Sequence, residues 1–290
     1  MESWTFEAIG TAWQIDTQAP LAPEVRDLVA DRIERFDRDW SRFRDDSFVS
    51  AVAREAGDRE LPEDAESLFD FYTDLHEVTD GAVNPLVGRA LSDLGYDAGY
   101  SLTPSATPTA PTSWSTIDWG GADAQRRLRT DEPMLIDVGA AGKGLLVDHV
   151  ASILWAEGLR QATVDAGGDL YHCGTTPIRV ALEHPHDPTK ALGVVELEPE
   201  DALCGSATNR RAWGDGLHHV LDARTGRPTT DVVATWVLAP QSCMLADGLA
   251  TAHFFAEPER LLERWHHQFV RMHADGRVVW SPDLQGEVFA

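Results

Sequence analysis

IDVGAAGKGLLVD, residues 136–148, is the stretch of this sequence that most constrains the fold. An apolar run ends at Asp137, a turn made only of small residues follows, and helical spacing begins at Lys143. Small residues let backbone amides approach a ligand, and a helix N-terminus favours bound phosphate. The stretch therefore predicts either a phosphate-binding turn or a tight strand-to-helix connection that holds no ligand.

The segments around this stretch predict a mixture of strands and helices. Apolar runs and alternating patterns predict strands over 7–15, 134–138, 161–165, 178–182, 194–197, 218–221 and 233–238. Helical spacing predicts helices over 24–40, 62–79, 143–157 and 244–255. Residues 269–273 and 278–280 flank an Asp-Gly turn and predict a hairpin. Because no regular alternation of strand and helix is visible, the pattern favours an α+β fold over a doubly wound sheet.

Length and charge limit the kind of protein this can be. The chain has 290 residues, of which 43% are hydrophobic, enough to bury a core and to exclude disorder over most of its length. Acidic residues number 48 and basic residues 24, giving a formal net charge of −24. Such a field repels nucleic acid and anionic lipid, so we expect neither as a partner.

We expect residues 1–290 to form a single domain, with a surface loop at 103–113 that is rich in Pro, Thr and Ser. Cys173, Cys204 and Cys243 form no CxxC pair, so no disulfide framework or cysteine-based zinc site is expected. The sequence begins without a basic, apolar leader and has no run long enough to span a membrane, which predicts a cytoplasmic protein.

Two later clusters carry residues suited to chemistry. His218 and His219 are neighbours on a predicted strand and face opposite ways, so at most one points at a given site. That neutral imidazole could accept a proton from a hydroxyl nucleophile, or could be a hydrogen-bonded structural histidine. Asp247 and Thr251 are four residues apart, which places both on one helix face. Two oxygen ligands suit Mg²⁺, although such a pair also arises by chance.

Taken in order, eight segments resemble the ApbE family, the FAD:protein FMN transferases. Each segment is similar to one of the family's motifs, and together they run nearly from end to end of the chain. The segments are IGTAWQI (9–15), DRDWSRFRDDS (37–47), TDGAVNPLVGRAL (79–91), IDVGAAGKGLLVD (136–148), VDAGGDLYHCG (164–174), GSATNRRAW (205–213), HHVLDARTGRP (218–228) and LADGLAT (245–251).

The resemblance implies a mainly antiparallel α+β fold with packed helices and a duplicated, T-fold-like arrangement. It implies Mg²⁺-dependent transfer of FMN from FAD to a threonine or serine hydroxyl of an acceptor protein, with release of AMP. Two alternatives stay open: hydrolysis of FAD to FMN and AMP, and a module that binds or delivers FAD without turnover.

The resemblance also assigns roles to residues. His219 is the candidate for activating the acceptor hydroxyl. The side chains of Asp247 and Thr251, with the backbone carbonyl of Ala140, are the candidate Mg²⁺ ligands. The candidate FAD contacts are Ile9, Phe43, Asp137, Lys143, Ser206 and Leu221.

Four residues depart from the family motifs. Ile9 stands where the family has Met, Ala207 where it has Gly, and Ala223 where it has Pro. Asn84 replaces the usual Asp before Pro85, which we expect to alter a hydrogen bond at the rim of the site. None of these changes removes the proposed metal ligands, Lys143 or His219, so we expect activity to survive.

Overall fold

A computed structural model describes residues 1–120 and 126–289 of the chain. Its helices are α1 (Pro23–Trp40), α2 (Phe48–Arg54), α3 (Ala65–Val78), α4 (Gly88–Asp93), α5 (Gly142–Ala156), α6 (Cys243–Ala252) and α7 (Pro258–Leu262). Its strands are β1 (Glu2–Ala8), β2 (Thr11–Thr17), β3 (Gly57–Glu60), β4 (Asp118–Gly120), β5 (Arg127–Thr130), β6 (Ala162–Asp165), β7 (Asp169–His172), β8 (Ile178–His184), β9 (Asp187–Leu197), β10 (Asp201–Ala207), β11 (Ala212–Trp213), β12 (Leu217–His218), β13 (Leu221–Asp222), β14 (Arg227–Pro228), β15 (Val232–Pro240), β16 (Gln268–His273), β17 (Val278–Trp280) and β18 (Gly286–Val288).

The chain divides into two compact units. The first comprises Met1–Glu34, Ala141–Arg210 and Thr230–Ala290. The second comprises Arg35–Ala140 and Arg211–Thr229. The expectation that all residues form one domain stays a prediction.

The first unit is built on an eight-stranded sheet in the order β1-β2-β6-β7-β10-β15-β16-β17. A three-stranded sheet in the order β18-β9-β8 adds to its core. Buried apolar side chains of both sheets, among them Leu182, Leu203, Trp236 and Val270, form one cluster. Each strand pairing within the described residues is antiparallel, which confirms the mainly antiparallel α+β fold; the duplicated arrangement stays a prediction.

The prediction of one strand over 7–15 is wrong, because the chain turns at Ile9 and Gly10. β1 ends before these residues and β2 begins after them, and the two strands pair as an antiparallel hairpin. The φ angles of Ile9 and Gly10 are 45° and 74°. Two-residue turns with positive φ at both positions match the twist of paired strands, but a β-branched residue adopts such a φ only under strain.

The second unit has a three-stranded sheet in the order β3-β5-β4 and two short ribbons, β11–β12 and β13–β14. The predicted strand over 218–221 is divided here between β12 and β13, which pair with different partners. The predicted strand over 134–138 is also wrong, because no ladder forms there. Met134 N donates to Val52 O and Asp137 N to Pro85 O, single bonds that hold an extended segment with Ile136 fully buried.

The remaining predicted elements are confirmed, with boundary shifts of a few residues. The four predicted helices correspond to α1, α3, α5 and α6, and β16 pairs with β17 as the predicted hairpin. The predicted strands over 161–165, 178–182, 194–197 and 233–238 correspond to β6, β8, β9 and β15. Residues 103–113 contain neither helix nor strand and are mostly exposed.

Candidate active site

Helices α5 and α6 of the first unit approach each other closely at Gly144. A Cβ atom at Gly144 would overlap the carbonyl oxygen of Cys243 and lie 2.8 Å from the Cβ of Asp247. The backbone N–H of Gly144 donates to Asp247 Oδ2 at 3.0 Å. Because no side chain fits between the helices, glycine at this position sets where the Asp247 carboxylate lies.

Asp148 of α5 caps the N-terminus of α6. Its Oδ1 accepts the N–H of Cys243 at 2.7 Å, and its Oδ2 accepts the N–H of Met244 at 3.0 Å. Burial raises the pKa of Asp148 to about 6, although these backbone hydrogen bonds favour the charged form. The last residue of the 136–148 motif therefore orients the helix that carries Asp247 and Thr251.

Lys143, in the first turn of α5, is held by oxygen atoms of the β6–β7 loop and of the first residue of β7. Its Nζ forms an ion pair with Asp169 and donates to Ala166 O at 3.1 Å. Burial by itself would lower the pKa of Lys143, but the carboxylates of Asp169 and Asp247 raise it above its usual value. Lys143 is therefore a charged group in an otherwise buried, acidic setting.

Asp247 and Thr251 lie one turn apart on α6, as the sequence predicts. Asp247 is 4% exposed, and Thr251 is half-buried. Burial, followed by the negative charge of Asp169, raises the pKa of Asp247 well above its usual value, and Lys143 opposes this only in part. A bound divalent cation would stabilise the charged form of such a buried carboxylate. Carboxylate and hydroxyl oxygens are ligands that Mg²⁺ accepts.

The side chains alone do not complete a metal site. Within residues 1–120 and 126–289, no group of three or more His, Cys, Asp or Glu side chains is arranged to hold a metal ion. The pair on α6 therefore fits a Mg²⁺ that takes its other ligands from carbonyl oxygens, water or substrate phosphate, which is its usual coordination.

Two other candidate FAD contacts also belong to the first unit. Ser206, on β10, lines a cavity of about 240 Å³ together with Gly167 and Gly168. Ile9 is half-buried at the β1–β2 turn, and Thr11, just beyond that turn, leaves no room for a side chain at Gly167. The turn at Ile9 is thus packed against the glycine loop that borders the cavity.

In the second unit, both carboxylate oxygens of Asp137 are used within the protein. Oδ2 accepts from Arg42 Nε at 2.6 Å, and Oδ1 accepts from the N–H of Gly139 at 2.8 Å. Arg42 Nη1 in turn donates to Tyr96 O at 2.6 Å. Asp137, predicted as a direct FAD contact, therefore holds a buried arginine that the sequence did not identify.

Phe43 and Leu221 share one apolar cluster. Leu221 is buried among Leu91, Leu94, Tyr96 and Trp213, and Phe43 packs against the same group. The ring of Phe43 also stacks on that of Tyr100 at a centroid distance of 4.9 Å. The two predicted contacts therefore lie together, with aromatic neighbours that the sequence motifs did not indicate.

The two adjacent histidines have different roles. His218 is the structural one: its Nε2 donates to Thr229 O at 2.9 Å, and its Nδ1 accepts the N–H of Val220 at 3.3 Å. The Nδ1 of His219 is buried and has no hydrogen-bond partner among the described residues. Burial, and then the charge of Arg211, lowers the pKa of His219 to about 4. At neutral pH His219 is therefore an uncharged base.

The substitution at Asn84 changes a hydrogen bond, as expected. Its Oδ1 accepts the N–H of Leu86 at 2.9 Å, which an aspartate would also do. Its Nδ2 donates to Thr112 O at 3.0 Å, which an aspartate could not do. The amide thus holds the end of the Pro/Thr/Ser-rich loop.

The ten predicted site residues are divided between the units. The first unit contains Ile9, Lys143, Ser206, Asp247 and Thr251. The second contains Phe43, Asp137, Ala140, His219 and Leu221. Ala140 N donates to Tyr72 Oη at 3.1 Å, and its role as a carbonyl ligand stays a prediction.

Comparison with known proteins shows the family to which the chain belongs. The sequence profile of the ApbE family matches residues 9–273, and the chain belongs to that family. An FAD:protein FMN transferase of Rhodobacter capsulatus is 28% identical, covering 99% of this chain and 58% of that protein. The chain thus spans little more than half of that relative's length. A relative of the same name from Klebsiella pneumoniae is 27% identical over 98% of this chain and 84% of its own.

Solved structures share the fold. The ApbE protein of Thermotoga maritima superposes with a TM-score of 0.82 at 22% identity, covering 97% of both chains. The flavin transferase ApbE from Vibrio cholerae gives a TM-score of 0.78 at 22% identity, again covering 97% of both.

In the part of the chain that the structure describes, no helix combines the length and apolar character needed to cross a membrane.

Proposed function

We propose that this protein transfers FMN from FAD to a threonine or serine hydroxyl of an acceptor protein and releases AMP. The proposal is carried by His219, an uncharged base at neutral pH whose buried Nδ1 has no hydrogen-bond partner in the part of the chain that the structure describes. Membership of the ApbE family and the similarity to FAD:protein FMN transferases support the choice of FAD as donor.

His219 acts as the general base in this reaction. Its Nδ1 accepts the proton of the acceptor hydroxyl, whose oxygen attacks the phosphorus of the FMN half of FAD. The bond from that phosphorus to the bridging oxygen breaks, and the bridging oxygen leaves with AMP. The positive charge of Lys143, in the first turn of α5, suits a negatively charged pyrophosphate.

Asp247 and Thr251 are the proposed ligands of Mg²⁺, with Ala140 O as the third ligand that the family resemblance implies. When bound, Mg²⁺ would neutralise charge that develops on the pyrophosphate oxygens. Asp148 and Gly144 contribute indirectly, because they fix the position of α6 and of the Asp247 carboxylate.

Intact-mass spectrometry tests the proposal. The purified protein is incubated with FAD, Mg²⁺ and an acceptor peptide with an Asp-Gly-Ala-Thr-like motif followed by Thr, and AMP is measured in parallel. We expect the peptide to gain the mass of one FMN with an equal amount of AMP. AMP and free FMN without peptide modification would favour hydrolysis instead, and bound FAD without AMP would favour a binding module.

A histidine variant assigns the base. His219→Ala should abolish FMN transfer while FAD still binds, whereas His186→Ala, at an exposed position of the β8–β9 hairpin, should transfer at the wild-type rate. Equal transfer by both variants would remove His219 from the mechanism.

The cytoplasmic location expected from the sequence stays a prediction, which cell fractionation tests.

A further inference from the structure

Arg42 has a buried hydrogen-bond donor that no group in residues 1–120 or 126–289 accepts from. Its side chain is 2% exposed. Nε donates to Asp137 and Nη1 to Tyr96 O, but Nη2 is buried without a partner among the described residues. Leaving a charged donor unsatisfied costs more than leaving a neutral one, so such an atom in a native fold needs an explanation.

The guanidinium of Arg42 is fixed in an aromatic setting. Its central carbon lies 4.2 Å from the ring centroid of Phe43 and 4.7 Å from that of Tyr96. The two hydrogen bonds to Asp137 and Tyr96 prevent rotation of the guanidinium, so the N–H groups of Nη2 are held in a fixed orientation. The charge of Arg42 is already balanced by Asp137 at 2.6 Å, which makes Nη2 a directional donor rather than a free positive charge.

These features describe a site for a planar ring that carries a carbonyl oxygen. The charge of Arg42 is balanced by Asp137 and two aromatic rings lie against the guanidinium, a setting that suits a planar ring with a carbonyl oxygen better than a phosphate. Phe43 and Tyr100, stacked at an interplanar angle of 14°, show that this place accepts parallel aromatic planes. The isoalloxazine ring of FAD presents carbonyl oxygens as acceptors, whereas adenine presents only ring nitrogens.

We propose that Arg42 recognises the flavin: its Nη2 donates a hydrogen bond to a carbonyl oxygen of the isoalloxazine ring, while Phe43 contacts the plane of that ring. This inference rests on the proposed function, since it takes FAD as the substrate. Asp137 acts as a positioning residue, because it aligns the guanidinium through Nε.

Because Nη2 is buried, we expect binding to require movement of a neighbouring aromatic side chain. Tyr100 is the most exposed ring of this group, at 49%, and its φ of 50° is unusual for a residue other than glycine. A ring held in a strained loop and half in solvent moves at lower cost than Tyr96, which is 5% exposed.

Binding measurements with two fragments of FAD test the proposal without using activity. Riboflavin carries the isoalloxazine ring without the adenosine, and AMP carries the adenosine without the ring. Calorimetry compares the wild type with Arg42→Lys, which keeps a positive charge beside Asp137 but lacks Nη2. Arg44→Lys, two residues away and partly exposed, is the matched control.

We expect Arg42→Lys to bind riboflavin about 10- to 100-fold more weakly, while AMP binding is unchanged. The control should bind both fragments like the wild type. Unchanged riboflavin affinity in Arg42→Lys would overturn the proposal, and so would a loss confined to AMP. If the wild type binds FAD but transfers no FMN, the proposed function fails while the role of Arg42 can still be measured.

A second measurement uses the wild-type protein, in case Arg42→Lys does not fold. A crystal structure with riboflavin should place a ring carbonyl oxygen within hydrogen-bond distance of Arg42 Nη2. A ring bound elsewhere, or Nη2 still without a partner in the complex, would contradict the proposal.

Discussion

The carboxylate of Asp148 in α5 accepts the backbone N–H of Cys243, the first residue of α6, at 2.7 Å. One helix therefore supplies the N-terminal cap of another, 95 residues later in the sequence. Asp148 satisfies the N–H groups of Cys243 and Met244, and the Ser242 hydroxyl accepts the N–H of Leu245. The cap also fixes the direction of the helix that carries Asp247 and Thr251.

Replacing Asp148 by alanine should reduce the free energy of unfolding by about 2 kcal/mol, because two buried N–H groups lose their acceptor. Denaturant unfolding measures the change. Ser152→Ala is the control on the same helix, since Ser152 is exposed and donates only to Asp148 O within α5. A loss of similar size in both variants would show that the cap contributes little.

Gly144→Ala should lower the free energy of unfolding by about 2 kcal/mol or more, despite the higher helix propensity of alanine. The added methyl group would overlap Cys243 O, a backbone atom that cannot move alone. Thermal unfolding provides the comparison with Gly99→Ala, at an exposed position where the nearest atom would be 3.4 Å away. Equal stability of Gly144→Ala and the wild type would contradict the close contact between the helices.

Asp247→Asn should separate metal binding from folding. The amide oxygen can still accept from Gly144 N, so the unfolding midpoint without Mg²⁺ should stay equal or rise as a buried negative charge beside Asp169 is removed. Mg²⁺ should raise the midpoint of the wild type but not of this variant, and FMN transfer should fall by about 100-fold or more. Asp283→Asn, an exposed position, should behave like the wild type; an unchanged Mg²⁺ response in Asp247→Asn would refute the assignment.

His219 should make the protein less stable in mild acid. Its pKa of about 4 in the folded state is below the 6.5 of an exposed histidine, so the unfolded chain takes up the proton first as the pH falls. The contribution of His219 to the free energy of unfolding is complete above pH 6.5 and is lost as the pH falls through 4. Between about pH 7 and pH 5 this loss is about 2 kcal/mol. The stability of His219→Gln should therefore fall less over this range. Parallel curves for variant and wild type would contradict the low pKa.

Ile9→Asn should raise stability and reduce FAD binding. Asparagine tolerates positive φ, and Asn-Gly is the preferred sequence for this kind of hairpin turn, so a gain of about 1 kcal/mol is expected. The same change removes the apolar side chain proposed to line the FAD pocket. Chemical denaturation and FAD titration measure the two effects. A variant that is less stable than the wild type would show that Ile9 packing outweighs its φ strain.

Much of the fold could be predicted from local patterns. Amphipathic spacing located α1, α3, α5 and α6, and the Asp-Gly turn located the β16–β17 hairpin. The turn at Ile9 was missed because its residue type argues against positive φ, and only the pairing of β1 with β2 requires it. The apolar run at 134–138 is buried as predicted, but its partners are Val52 and Pro85, distant residues that no local signal indicates.

The sequence motifs pointed to Asp247 and His219, and the structure buries Asp247 and the Nδ1 atom of His219; their roles in the reaction stay predictions. The candidate site could not be predicted where a residue acts through a distant partner. Arg42 and Asp137 are 95 residues apart in the sequence. Neither residue's sequence context indicates that the Asp137 carboxylate orients the Arg42 guanidinium. Likewise, the role of Asp148 as a helix cap follows only from its contact with α6. Such pairings depend on tertiary packing, which residue spacing does not encode.

The contact between α5 and α6 also has a kinetic consequence. Because Gly144, Asp148 and Asp247 join the two helices through hydrogen bonds, neither helix can open without breaking bonds of the other. Local opening should therefore involve both together, as one cooperative segment of the native state. Amide protons of the two helices should then exchange with deuterium at similar rates, and slower when Mg²⁺ binds.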